Sequence, residues 1–142
     1  MMLVRIDGRY SLREKVGSGS YGTLETDYQW PTPLTLAKGE VYRASDLTYG
    51  HDVAVKIEPK SIVPSALKHE HHVLRQLDGI TGIPRVHWFG YEAGYNALIL
   101  DYLGPSLEDV FNSCCRSFSL STIALIADQL VSLSNDTFTR IM

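Results

Sequence analysis

Three features in the first half of the chain could together bind a nucleotide. A glycine-rich stretch has the spacing G-x-G-x-x-G, formed by Gly17, Gly19 and Gly22. Glycines permit a positive φ and let backbone N–H groups approach a phosphate closely. Lys56 follows in a strand-like run, and Glu70 lies in a helical run beyond it. The glycine spacing alone also fits an ordinary hairpin turn, so the lysine and the glutamate carry the nucleotide hypothesis.

The run around Lys56 has the period of a half-buried strand. Val53, Val55 and Ile57 alternate, which predicts that Ala54 and Lys56 point to the opposite face. A lysine there can meet phosphate oxygens as a point charge. A solvated strand lysine is the alternative interpretation, and the glycine loop before it favours the functional one.

Glu70 is predicted to lie on the buried side of a helix over 61–77. It falls on an apolar stripe that also contains Leu67, Leu74 and Leu77. A carboxylate on that side needs a partner because an unpaired buried charge is costly, and Lys56 is the natural one. The neighbouring histidines indicate a solvated helix face rather than a metal site: His69, His71 and His72.

The remaining patterns predict an α+β chain. Strands are expected over 10–16, 40–44, 52–57, 84–91 and 95–102, the last two forming a hairpin. Ser106 is expected to cap a short helix, with Asp109 completing a capping box, and Ser119 to cap a second helix. The apolar spacing of that last helix predicts that it is largely buried against another surface, most of which is expected to be missing from these 142 residues. Residues 134–137 carry helix-stopping side chains.

Residues 23–39 interrupt the glycine loop. The run includes Pro31 and Pro33, which argue against a central strand. Deleting it (39 − 23 + 1 = 17 residues) leaves GSGSYGEVYRA, a continuous glycine loop and strand. An unspliced intron would leave such a trace, and a true loop extension at a hairpin tip is the alternative.

Composition and net charge limit the classes of partner that the chain is expected to bind. The chain has 142 residues, 44% hydrophobic, with a net charge of −3, so neither nucleic acid nor a membrane is expected as a partner. No apolar run of about 18 residues predicts a membrane span. The adjacent Cys114 and Cys115 form no spaced disulfide framework, which favours a cytoplasmic or nuclear setting. A monomer is expected.

The chain resembles the casein kinase 1 family of serine/threonine protein kinases over roughly 10–22 and 40–133. The most specific matching segments are VAVKIEP, TGIPRVHWFGYEAGYNALILDYLGPSLEDVFN and FSLSTIALIADQL. The resemblance implies a glycine loop over phosphates, a strand lysine with its helix glutamate, a residue guarding the back of the pocket, and a hinge that binds adenine. By position these nucleotide-binding residues are Val16, Gly17, Gly19, Gly22, Ala54, Lys56, Glu70, Leu100, Asp101 and Leu103.

The resemblance also implies an architecture and an activity. The expected fold is protein-kinase-like, with a five-stranded antiparallel small-lobe sheet and one helix, followed by two large-lobe helices. Residues 1–104 would form the small lobe, with the insertion at 23–39, and 105–142 the start of a truncated large lobe. In the intact family ATP with Mg is the cofactor, and protein serine or threonine is the substrate of this nucleotide-binding transferase.

The chain departs from that family where catalysis would take place. No H-R-D or D-F-G sequence occurs, so the catalytic aspartate and the metal ligands are absent from these 142 residues. The chain alone is therefore predicted to be catalytically incompetent. The alternatives are a non-catalytic binding or decoy fragment, or the product of a mis-spliced or truncated gene model.

Overall fold

The computed structural model describes residues 4–18 and 40–141. Over these residues the chain forms six strands and three helices. In chain order they are β1 Arg5–Ile6, β2 Tyr10–Ser18, β3 Glu40–Asp46, β4 Asp52–Pro59, α1 Ala66–Gln76, β5 Val86–Glu92, β6 Tyr95–Asp101, α2 Leu107–Ser113 and α3 Leu120–Ile141. Gly19, Gly22 and the insertion at 23–39 lie outside the described residues.

All six strands form one antiparallel sheet, in the order β1-β2-β3-β4-β6-β5. The sheet curls into a nearly closed barrel. Its two ends meet where the backbone N–H of Asp7 donates to Oε2 of Glu92, 2.6 Å away. The concave face holds the main core: Ile6, Tyr10, Ala44, Val53, Val55, Ile57, Ala97 and Ile99.

The prediction of a kinase-like small lobe with five strands was wrong. A further strand, β1, precedes the glycine-rich segment and pairs with Tyr10 and Ser11. The chain reverses between β1 and β2 at Asp7 and Gly8, whose φ angles are 53° and 61°. Ile6 is buried in the core by this reversal. A strand of two residues is too short to show a period of two, so the sequence pattern could not indicate it.

The helix α1 covers the convex face of the sheet. Leu67 packs there with Leu98 and Leu100 in a second apolar cluster. The helix begins later than predicted, at Ala66, and the side chain of Ser65 caps it by accepting from the Lys68 N–H.

The buried carboxylate of Glu58 fixes the start of α1 against β4. Its Oε2 accepts from the Ser65 hydroxyl at 2.8 Å and from the Leu67 N–H at 3.1 Å. Its Oε1 accepts from the Ala66 N–H at 3.3 Å. These bonds satisfy backbone donors that a helix leaves unpaired at its first turn. Because β4 carries Lys56 and α1 carries Glu70, Glu58 sets the spacing between those two elements.

Replacing Glu58 by alanine should lower the free energy of unfolding by about 2 to 3 kcal/mol, because buried N–H groups lose a charged acceptor. Urea denaturation followed by circular dichroism measures the change. Glu14→Ala is the matched control, since Glu14 is an exposed strand glutamate, and it should leave the transition almost unchanged. Equal losses in the two variants would contradict the capping role.

The last two helices begin as predicted. Ser106 and Asp109 form a reciprocal capping box at α2. The Ser119 hydroxyl accepts from the Thr122 N–H at 3.1 Å at the start of α3.

The predicted end of α3 was wrong. The helix runs through 134–137, where the hydroxyls of Ser134 and Thr137 donate to backbone carbonyls of the preceding turn. These polar groups are satisfied within the helix, so they do not end it. Many of its large apolar side chains are exposed: Leu120, Ile123, Leu125, Leu130, Val131 and Phe138. Among the described helices, none has the length and apolarity to cross a lipid bilayer.

Candidate functional site

The sheet register brings four of the predicted site residues onto one face. Lys56 lies opposite Val41, and Val41 lies opposite Gly17. Ala54 lies opposite Leu100 in the neighbouring row. Directly opposed residues on antiparallel strands point to the same face, and alternate residues of one strand do so too. This is the face that α1 covers, since Ala54 and Leu100 belong to the cluster around Leu67.

Lys56 and Glu70 form the ion pair expected from the sequence. The Lys56 Nζ donates to Oε1 of Glu70 at 2.5 Å. The two side chains are 33% and 36% exposed, so Glu70 is less buried than its place on the apolar stripe predicted. A lysine ammonium has three donors, and part of the Lys56 side chain remains accessible to solvent. The pair can therefore hold the ammonium in one place and still present it to an anion.

Leu100 and Val16 lie in different surroundings. Leu100 is buried beneath α1, next to Ala54 in the register. Val16 is exposed on β2. Gly17 is an extended strand residue rather than a turn residue, between β-bulges and the end of the described part of β2. The positions of Gly19 and Gly22 relative to this face fall outside the described residues.

Asp101 and Leu103 lie in neither of the two rows of paired residues, the one through Lys56 and the one through Ala54. Asp101 lies opposite Val53, on the concave face, and Leu103 is exposed beyond the end of β6. The Asp101 carboxylate accepts from the Arg85 N–H at 2.8 Å and lies 2.7 Å from His87 Nε2. Burial alone would raise the pKa of Asp101, but these two contacts outweigh it and hold the pKa below its usual value. The side chain thus ties β6 to the start of β5.

Two residues on the site face were missed from the sequence. Val41 shares the row of Lys56, and Arg43 lies opposite Ala54. The Arg43 Nε donates to Oδ2 of Asp52 at 2.9 Å, and its guanidinium lies 5.2 Å from the Tyr102 ring centre. Alternation in 40–44 separates Val41 and Arg43 from Tyr42 but does not say which set faces Lys56. Only the register with β4 decides that.

The arrangement joins an anchored cation to an apolar surface. Lys56 supplies the positive charge, and the partly exposed Val41 and Ala54 supply apolar area beside it. A ligand with an anionic tail and a flat apolar ring fits this combination. A small cavity of about 70 Å³ lies elsewhere, beside Ile57 on the concave face.

No group of three or more histidine, cysteine, aspartate or glutamate side chains in 4–18 and 40–141 is arranged to hold a metal ion. A scan against protein-family models finds no match to this chain.

Proposed function

We propose that the chain binds ATP on the face shared by Gly17, Ala54, Lys56 and Leu100. The observation that carries the proposal is the Lys56–Glu70 ion pair, which joins the sheet to α1 on the same face as the glycine-bearing strand. The two residues are 14 positions apart in sequence, and nothing in local helix or strand geometry requires them to meet.

The chemistry of the pair suits a nucleotide polyphosphate. Glu70 fixes the direction of the Lys56 ammonium, so less side-chain entropy is lost when phosphate oxygens bind. The remaining ammonium hydrogens can then donate to a phosphate as charge-assisted bonds. The adenine ring would lie against Ala54 and Val41, next to Leu100. The residues of the described structure fit the nucleotide in charge and in apolar area.

The resemblance to casein kinase 1 enzymes supports the choice of ATP. It also suggests that the chain is related to serine/threonine protein kinases that transfer the γ-phosphoryl group. Within these 142 residues, however, no H-R-D or D-F-G sequence supplies a base or metal ligands for that transfer. The proposed activity of the chain itself is therefore nucleotide binding without catalysis.

Titration of ¹⁵N-labelled chain with ATP, followed by NMR, tests the proposal. The amide signals of Gly17, Val41, Ala54 and Lys56 should shift together and saturate. Adenosine, which lacks phosphates, should shift the Ala54 signal at higher concentration and leave Lys56 less affected. Unchanged spectra, or shifts confined to the cavity on the concave face, would overturn the proposal.

The chain should incorporate no phosphate into an acidic serine peptide in the presence of ATP and Mg²⁺. The reason is that positioning and charge stabilisation in phosphoryl transfer depend on groups that its sequence lacks. Transfer of radiolabelled phosphate provides the measurement. Incorporation that disappears in the Lys56→Ala variant would contradict this prediction.

A further inference from the structure

The outer side of α1 carries two fixed cations, Lys68 and Arg75, and no carboxylate on the same arc. Lys68, His69, His72 and Arg75 are all exposed there. Their spacing of one, three and three residues places them on one arc of the helix, away from Leu67, which faces the sheet. Glu70, the helix carboxylate, lies outside this arc and is paired with Lys56. The four residues Lys68, His69, His72 and Arg75 are called the α1 outer face.

The positive charges of the α1 outer face are not neutralised within the described chain. Lys68 and Arg75 take part in none of the salt bridges found over 4–18 and 40–141. The His72 ring nitrogen lies 3.2 Å from the Gln76 amide, which is uncharged.

A second guanidinium, that of Arg140, lies at the C-terminal end of the same helix. The Arg140 side chain, from α3, donates to the backbone carbonyl of Gln76 at 3.3 Å and to that of Asp78 at 3.0 Å. Arg140 takes part in none of the salt bridges found over 4–18 and 40–141, so no carboxylate there neutralises it. The carboxylates closest in sequence to the Arg140 contact are Asp78, just after α1, and Asp136, one turn before Arg140.

His71 lies on the sheet-facing side of the same helix. Its ring stacks on Phe89, with centroids 4.3 Å apart. Burial lowers the pKa of His71, and the charges of Arg75 and His72 lower it further.

We infer that the α1 outer face is a docking surface for an acidic peptide segment, rich in aspartate and glutamate, of a partner protein. The argument is charge complementarity, because this face is positive on a chain whose net charge is −3. From Lys68 to Arg75 the helix rises roughly 10 Å, which a short extended peptide spans. A nucleic acid is the less suitable occupant: the face offers few fixed cations, and specific affinity for a polyphosphate backbone needs many. This inference does not depend on nucleotide binding.

Fluorescence anisotropy with a labelled peptide of alternating aspartate and glutamate provides the test. Its amide counterpart, with asparagine and glutamine, is the reference probe. The full chain should bind the acidic peptide, and the double variant K68E/R75E should weaken that binding by about tenfold or more. The control K68Q/R75Q removes the charges without reversing them and should give a smaller loss.

A second double variant, R5E/R13E, distinguishes a loss of binding caused by the α1 outer face from one caused by the change in net charge. Arg5 and Arg13 are exposed on β1 and β2, and reversing them lowers the net charge by the same amount as K68E/R75E. It should bind the acidic peptide almost as well as the unmodified chain. Equal weakening in both double variants, equal binding of the amide peptide, or tighter binding of single-stranded DNA would overturn the inference. NMR titration of the unmodified chain locates the contact independently of any variant, and shifts away from α1 would overturn it as well.

Discussion

Replacing Asp46 by alanine should lower the free energy of unfolding by about 3 kcal/mol or more, because it leaves a partner charge unpaired and removes buried acceptors. The Asp46 side chain is fully buried. Its two carboxylate oxygens accept from the Arg9 guanidinium at 2.9 Å and 2.5 Å. Oδ1 also accepts from the Thr48 N–H at 2.9 Å. One side chain thus holds the β3–β4 turn against the start of β2.

Urea denaturation measures the loss, with Asp78→Ala as the matched control because Asp78 is exposed. The control should unfold like the unmodified chain. An unfolding transition of Asp46→Ala that matches that of the control would contradict the structural role of the pair.

The same carboxylate should make stability depend on pH. The hydrogen bonds from Arg9 hold the pKa of Asp46 well below its usual value, even though burial acts in the opposite direction. A folded-state pKa below the unfolded one gives stability that is present above the unfolded value of about 3.9 and is lost as the pH falls toward the folded value. The difference in stability between the unmodified chain and Asp46→Ala should therefore shrink below about pH 4.

Replacing Lys56 by methionine should weaken ATP binding by about tenfold to a hundredfold, the equivalent of one or two charge-assisted hydrogen bonds. The substitution removes the cation and keeps most of the aliphatic length. Isothermal titration calorimetry measures the affinity. Lys60→Met is the control, because Lys60 directly follows β4 and its ammonium lies over the Tyr91 ring, 4.3 Å from the ring centre.

Glu70→Gln should have a smaller effect than Lys56→Met. The lysine keeps its charge but loses the carboxylate that orients it, so the phosphate contact survives with less preorganisation. A Glu70→Gln variant that loses as much affinity as Lys56→Met would show that the pair acts as a unit. Unchanged affinity in both variants, with Lys60→Met also unchanged, would contradict the assignment of Lys56 to the phosphates.

Much of the site face could be predicted because its signals are local. The alternation of Val53, Val55 and Ile57 fixed the orientation of Lys56 within β4, and the structure has all three buried. The capping box at Ser106 depends on two residues three apart, a distance over which helix geometry is known in advance.

The features that could not be predicted depend on contacts between distant segments. Arg43 joins the site face only through the register of β3 with β4. Glu58 looks like an ordinary strand glutamate until α1 folds back to place its first turn over that carboxylate. The strand β1 is too short to carry a pattern, and its pairing depends on the reversal at Asp7. Whether the apolar side chains of α3 are covered depends on what packs beside the helix, and an apolar spacing does not specify that.

The central claim is that the phosphates of ATP lie against the Lys56 ammonium. An acyl-phosphate derivative of ATP tests it most directly, because a lysine amine next to the phosphates attacks the acyl group and keeps it as an amide while the nucleotide leaves. Peptide mass spectrometry then identifies the modified lysine. Labelling should concentrate on Lys56, with Lys60 and Lys68 modified far less, and excess ATP should suppress it. Labelling that spreads evenly over the lysines, or that excess ATP does not reduce at Lys56, would contradict the claim.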